Sequence, residues 1–121
     1  DRINNDHGIS FDGKRLAISH NREGLPGGGS TVYTLPIKGG KPKIVTKETP
    51  SYWHGWAPNN KEVVYVAKRN GEDIFNIYKA SIENGKETKL THFTKGHADG
   101  PEYSPDGKYI YYNSSESGTM H

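Results

Sequence analysis

The sequence predicts an all-β chain built from repeated units of four short strands, and three observations carry that expectation. Gly (15), Tyr (8) and Pro (7) are prominent, while only 31% of the residues are hydrophobic and the mean hydropathy is −0.91. Such a composition favours short strands and many turns over packed helices. No extended stretch places apolar side chains at helical spacing. The most specific observation is an internal repeat with a period of 47 residues.

The repeat is clearest in "ISFDGKRLAIS" (9–19), "WAPNNKEVVYV" (56–66) and "YSPDGKYIYYN" (103–113). Lys14, Lys61 and Lys108 keep the 47-residue spacing, as do Ser10, Ala57 and Ser104, and Asp12, Asn59 and Asp106. Gly24, Gly71 and Gly118 follow the same period. Between them, "VYTLPIKGGKPKIVT" (32–46) matches "IYKASIENGKETKLT" (77–91) at Tyr33/Tyr78, Gly40/Gly85, Lys41/Lys86 and Thr46/Thr91, now at an offset of 45. Length variation confined to "LPGGG" and "TKGHADG" is what loops of a structural repeat show.

Each unit divides into four segments in order. A first strand ends at a Ser-Pro-Asp-Gly-Lys type of turn, where Pro presets φ and Asp-Gly supplies the turn residues. A second strand follows, with Leu16/Ile18, Val63/Tyr65 and Ile110/Tyr112 alternating toward one face. A Gly-containing turn leads to a third strand, expected around 32–37 and 74–80. A turn at "KGG" or "ENG" then leads to a fourth strand ending in "IVT" or "KLT". In the second unit Asn59 and Asn60 stand where the others have Asp and Gly, and Asn tolerates the left-handed backbone such a turn needs. Four antiparallel strands repeated every 40–50 residues or so are the pattern of β-propeller blades, a WD-like arrangement. A β-sandwich with accidental self-similarity is the competing fold, and the recurrence of matched positions at one spacing in three copies speaks against it.

The expected organisation over 1–121 is a partial propeller, with repeats at 5–51 and 52–98 and the first half of a third at 99–121. Propellers use about four to eight blades, so such a chain does not close a ring by itself. Open sheet edges are usually covered or blunted. A fragment of a longer chain is therefore expected, with self-association through open blade edges as its consequence. The absence of an initiator Met at Asp1 points the same way.

Charge and composition exclude several functions. The 16 basic and 14 acidic residues are scattered, for a formal charge of +2, and no basic run marks a nucleic-acid partner. No apolar run approaches the roughly 20 residues of a membrane-spanning helix. The chain has no cysteine, which excludes disulfides and thiolate metal sites and fits any compartment. "GLPGGGST" (24–31) leads into no helix and lacks a following Gly-Lys, so it does not cradle phosphate. No G-x-S-x-G elbow accompanies the Ser, His and Asp residues.

The motifs "PEYSPDGKYIYYNS", "WAPNNKEVVYV", "NNDHGISFDG" and "PSYWHGW" resemble the TolB-type propeller repeat, and in particular a bacterial subgroup with six-bladed rings. The resemblance covers essentially the whole chain and is specific for fold. It implies a non-catalytic recognition or scaffold module of the cell envelope, periplasmic, with a cytoplasmic location as the alternative. Its partner would be a protein, peptide or glycan held at the channel mouth. Oligogalacturonide lyases, which resemble the same architecture, imply a second reading: a metal-dependent enzyme with channel histidines. Peptidases whose propeller accompanies a hydrolase domain imply a third, with the catalytic residues elsewhere.

Candidate site residues come from the segment "SYWHGW" (51–56). Trp56 aligns with Ile9 and Tyr103, which makes it a core residue between blades. His54 aligns with His7, so two imidazoles fall at equivalent points of first strands that line the channel. They either hydrogen-bond backbone or bind a ligand, and as neutral imidazoles His7 and His54 are the candidate metal ligands. No cofactor is otherwise implied. Tyr52 and Trp53 are expected on the loop before the strand, where exposed aromatics meet ligands; for Trp53 packing between blades is the equal alternative. Asp99 aligns with Tyr52 and Asn5, a column that suits a channel mouth, with His97 and Glu102 in the same third-repeat loop. Tyr52, Trp53, His54 and Asp99, with Asp6 and His7 completing the rim, form the expected ligand-binding set.

Overall fold

The computed structural model describes residues 3–114, and for 3–6 and 26–27 their backbone. The first sheet contains β1 (Ile3–Ile9), β2 (Arg15–Asn21), β3 (Ser30–Pro36) and β4 (Lys43–Ile44). The second contains β5 (Ser51–Trp56), β6 (Glu62–Ala67), β7 (Asn76–Ser81) and β8 (Glu87–Lys89). The third pairs β9 (Ala98–Tyr103) with β10 (Ile110–Ser114). Every pairing is antiparallel and joins strands consecutive in sequence, so β1, β5 and β9 are edge strands of their sheets. The described residues are all-β apart from a short 3-10 turn at Pro26–Gly29: successive propeller blades in an incomplete ring.

The turn chemistry follows the repeat. Ser10 Oγ donates to Asp12 Oδ1 at 2.6 Å, and Asp12 Oδ1 accepts the Lys14 N–H at 3.0 Å. Ser104, Asp106 and Lys108 repeat this at 2.7 and 3.0 Å. In the second blade Asn59 Oδ1 accepts the Lys61 N–H at 2.8 Å, so a neutral amide replaces the carboxylate without losing the bond. Asn60 takes φ 64°, the left-handed place of Gly13 and Gly107. The Thr46 and Thr91 hydroxyls accept the N–H of Val32 and Ile77 at 3.0 and 2.9 Å. A side chain thereby ends the β3–β4 and β7–β8 ladders at matching points, which is why these threonines recur. The third strands begin two residues earlier in the first blade and later in the second than expected, because Arg22 N–H closes onto Gly29 O (2.9 Å) whereas Phe75 is drawn toward the third sheet.

The core lies between the sheets. Strand β6 is buried on both faces: Val63, Tyr65 and Ala67 meet the first sheet side, and Val64 and Val66 meet the third. Each Val buried in this way contributes on the order of 1.5–3 kcal/mol. Between the first and second sheets stand Ala17, Val32, Trp53 and Trp56. Trp56 is buried and its Nε1–H donates to Gly8 O on β1 at 3.0 Å. The outward faces of the first and third sheets leave Ile9, Ile44 and Tyr111 exposed.

Two charged networks hold the blade junction at the end opposite the Asp-Gly turns. Arg69 is buried and donates to Glu87 through Nε (3.1 Å) and Nη2 (2.6 Å), to Ser51 Oγ (2.6 Å), and to the Pro50 and Lys68 carbonyls (2.9 Å each). Tyr65 Oη–H donates to the same Glu87 at 2.5 Å; burial, and then the Glu87 charge, push that phenol far above its usual range. Arg22, one period earlier, donates to Thr31 Oγ1 and Lys47 O at 2.9 Å.

Candidate functional site

A cleft of about 760 Å³ opens between the second and third sheets, lined by Tyr52, His54, Val66, Phe75, His97, Ala98, Asp99, Asn113 and Ser114. It lies where β5 and β9 begin and β6 and β10 end, remote from the Asp-Gly turns. Strand alternation places Tyr52 on this face. His54 joins it through a β-bulge: Trp53 pairs with Tyr65 and Gly55 with Val64, leaving His54 as the extra residue. A bulge re-aims a side chain in this way without breaking the strand. Equivalent register shifts interrupt β1 between Ile3 and His7 and the β9–β10 pair between Tyr111 and Asn113.

The floor is aromatic. Tyr52 and Phe75 meet edge-to-face at 5.7 Å, and Phe75 lies 5.6 Å from the His97 ring and 4.7 Å below Lys68 Nζ. The rim is polar. His54 Nε2 stands 3.5 Å from Asp99 Oδ1, joining β5 to β9 across the cleft, and the Gly100 N–H holds that carboxylate at 2.8 Å. His97 Nδ1 accepts the Phe75 N–H at 3.0 Å, so this nitrogen carries no proton there. The Ala98 N–H in turn donates to Phe75 O at 3.0 Å. These two bonds fix the 68–75 connection to the start of the third sheet. The arrangement suits an inserted apolar or aromatic group, oriented at its edge by imidazole, carboxylate and amide.

The sequence-predicted residues divide. Tyr52, His54 and Asp99 come together in this cleft. Tyr52 and Trp53 lie inside β5 rather than on the loop before it, because the Trp53 N–H is fixed by Ser19 Oγ of the neighbouring sheet at 2.7 Å. Trp53 turns its ring to the opposite face, where it is 8% exposed and packs over Gly8. Its place is the core between the first two blades rather than the cleft. His7 is exposed on β1 and does not line the cleft with His54. Asp6 lies in β1, its side chain outside the described residues. Among the described residues no three His, Asp or Glu side chains gather as a metal-binding group. Glu102 is outside the cleft, while His97, noticed only as a loop neighbour, is inside it. Phe75 and Asn113 were not anticipated. Asn113 shares its column with Ser19 and Val66 and Phe75 falls in the expected third strand, but neither residue type recurs there, so the repeat gave no signal for them.

The chain was compared with known proteins. No protein-family model matches it. It is 51% identical over 117 residues to an uncharacterized protein of Agrobacterium fabrum, covering 97% of this chain and 38% of the relative. It is likewise similar to a solved structure from Agrobacterium tumefaciens provisionally assigned as TolB, with 51% identity, a TM-score of 0.84, and coverage of 98% of this chain and 40% of that one. TolB from Acinetobacter baumannii shares the fold at 18% identity and a TM-score of 0.73, over 100% of this chain and 32% of that one. The tricorn protease does so at 20% identity and 0.70, over 93% and 11%. The chain thus spans about two fifths of the length of its more similar relatives. The repeat, the blade topology and these likenesses show a chain of β-propeller blades similar to those of the TolB structures.

Proposed function

We propose that the chain is a non-catalytic recognition module of the periplasm, and that the cleft between its second and third sheets binds a protein, peptide or glycan. The observation that carries this reading is the convergence of Tyr52, Phe75, His54, His97 and Asp99 from two blades around one opening. An aromatic floor with a few directional polar groups is the usual construction of a recognition pocket. Propeller resemblance alone would not distinguish binding from catalysis. Self-association through open blade edges belongs to the same proposal, and light scattering behind a sizing column reads it.

The test is a screen of this chain on peptide and glycan arrays, followed by titration of the best ligand against Tyr52→Ala, His54→Ala and Asp99→Ala. Each variant is expected to weaken binding at least tenfold while the thermal midpoint stays close to that of the parent. Trp53→Ala is the contrasting variant, lowering the midpoint because its ring is core. Cleft variants that bind as tightly as the parent would overturn the assignment.

A further inference from the structure

Basic residues that look scattered along the sequence are gathered by the blade topology at one end of the molecule. In an antiparallel meander, the first and third turns of every blade fall at the same end of the sheet. The structure ties these turns together: the Asp12 N–H donates to Asn60 Oδ1 at 2.8 Å, the Ile82 N–H to Lys61 O at 3.0 Å, and Lys43 Nζ to Glu83 O at 2.8 Å. Lys14, Lys61 and Lys108 project from the first turn of each blade, Lys41 and Lys86 from the third, and Arg15 stands beside Lys14. All six are exposed, and no described carboxylate forms an ion pair with any of them. Acidic groups at this end are fewer than the basic ones. Asp12 and Asp106 accept bonds within their own turns, Asn59 replaces the third of that column, Glu62 is paired with Lys79, and Glu83 and Glu102 remain. At the cleft end, by contrast, Arg69 and Lys68 face Glu48, Glu87 and Asp73 in ion pairs.

Exposed apolar side chains stand among these cations. Phe11 is 65% exposed in the first turn, Ile37 43% beside Lys38, and Tyr109 64% beside Lys108. A plane of turn tips that alternates lysines with a phenylalanine, an isoleucine and a tyrosine matches the boundary between lipid headgroups and acyl chains. An acidic protein would be matched better by a deep basic slot. A groove of about 370 Å³ at this end, between Arg15 and Lys61, also contains Glu83.

We infer that the Asp-Gly turn end docks on an anionic lipid surface, with the cleft presented on the side away from it. The surface is built by repetition. Each blade adds a lysine at the same height, so charge accumulates in a ring although no segment of the chain is polybasic. Each lysine near an anionic bilayer adds about fivefold to partitioning.

The experiment is co-sedimentation of this chain with mixed phosphatidylglycerol–phosphatidylcholine vesicles and with pure phosphatidylcholine vesicles, across a salt series. Binding is expected to the mixed vesicles alone and to weaken steeply with salt. The triple variant Lys14→Gln, Lys61→Gln, Lys108→Gln is expected to lose on the order of 100-fold in partitioning. Its circular dichroism and thermal midpoint should match the parent, because the three side chains are exposed. Phe11→Ser, also at an exposed tip, reports apolar insertion by a smaller loss at high salt. No binding to the phosphatidylglycerol vesicles, or equal binding by the triple variant, overturns the inference. Binding of soluble polyglutamate in place of vesicles would reassign the surface to an acidic protein partner.

Discussion

Replacing Arg69 by Met tests whether the buried network that ties the 48–51 segment to β8 stabilises the fold more than the corresponding arginine of the first blade does. The perturbation keeps an unbranched stem but removes five N–H donors and the charge. It leaves the Glu87 carboxylate without its cationic partner, holding only the Tyr65 hydroxyl, and takes a donor from the Ser51 hydroxyl and from the Pro50 and Lys68 carbonyls. It also removes the guanidinium from its place 5.4 Å over the Tyr78 ring. Breaking a buried ion pair by deleting one partner costs about 3–5 kcal/mol. Glu87 keeps 24% of its side chain exposed, so water reclaims part of the loss and the lower end, about 3 kcal/mol, applies. Arg22→Met is the internal control. Its side chain bonds a hydroxyl and a carbonyl and is only half-buried, so its loss costs about 1 kcal/mol. Urea unfolding followed by Trp53 and Trp56 fluorescence measures both. The double variant Arg69→Met, Glu87→Gln should cost less than the sum of its singles, since the stranded charge is gone. An Arg69→Met cost no larger than that of Arg22→Met would refute the reasoning.

Three further outcomes are expected. Gly8→Ala places a Cβ 2.4 Å from Trp53 Cη2; overpacking against a buried ring should lower stability by about 1–3 kcal/mol, visible as an earlier urea midpoint and altered Trp fluorescence. Asn60→Ala loses both a left-handed residue and the acceptor for the Asp12 N–H, at a cost of about 1–2 kcal/mol, and Asn60→Gly should recover only the backbone part. Stability should fall at both ends of the pH range. Asp12 and Asp106 are held below the usual carboxylate range, first by the Ser10 and Ser104 hydroxyls and then by backbone N–H groups. Their stabilisation is complete above the unfolded value of 3.8 and disappears as pH drops through the lower folded values. Burial pushes the Tyr103 phenol up to about 12 from 10.0, so its neutral form is favoured by folding and stability decreases as pH rises between those values. Asp12→Asn with Asp106→Asn should flatten the acid limb of thermal midpoint against pH, and Tyr103→Phe should flatten part of the alkaline limb.

Much of the fold was legible because repetition exposes which residues serve the backbone. Ser10/Ser104, Asp12/Asn59/Asp106 and Thr46/Thr91 recur since each closes a turn or ends a ladder. The Arg22/Arg69 column was equally periodic and went unread, although it secures the junctions at the other end. Half of "SYWHGW" could be placed from the alignment of Trp56 with Ile9 and Tyr103. The orientation of Trp53 could not, because it depends on a bulge: with regular alternation Trp53 and Trp56 would face opposite sides, and the extra residue His54 returns both to the first-sheet face. A one-residue register change is a tertiary choice that composition and spacing do not encode.

The two ends of the blades therefore acquire their properties in opposite ways. At the turn end every repeat contributes a similar residue, and function there would be additive, with each lysine worth a comparable factor and no one of them indispensable. At the cleft end the repeats diverge: Tyr52 corresponds to Asp99, and His54 to Pro101, so the opening between the second and third sheets differs chemically from that between the first and second, where Trp53 fills the space over Gly8. On the proposed function, divergence would make the cleft selective and fragile, because no other blade repeats its set of Tyr52, His54 and Asp99. A surface that survives single substitutions and a cleft that does not are the contrast expected when one end of a repeat protein is built by copying and the other by departing from the copy.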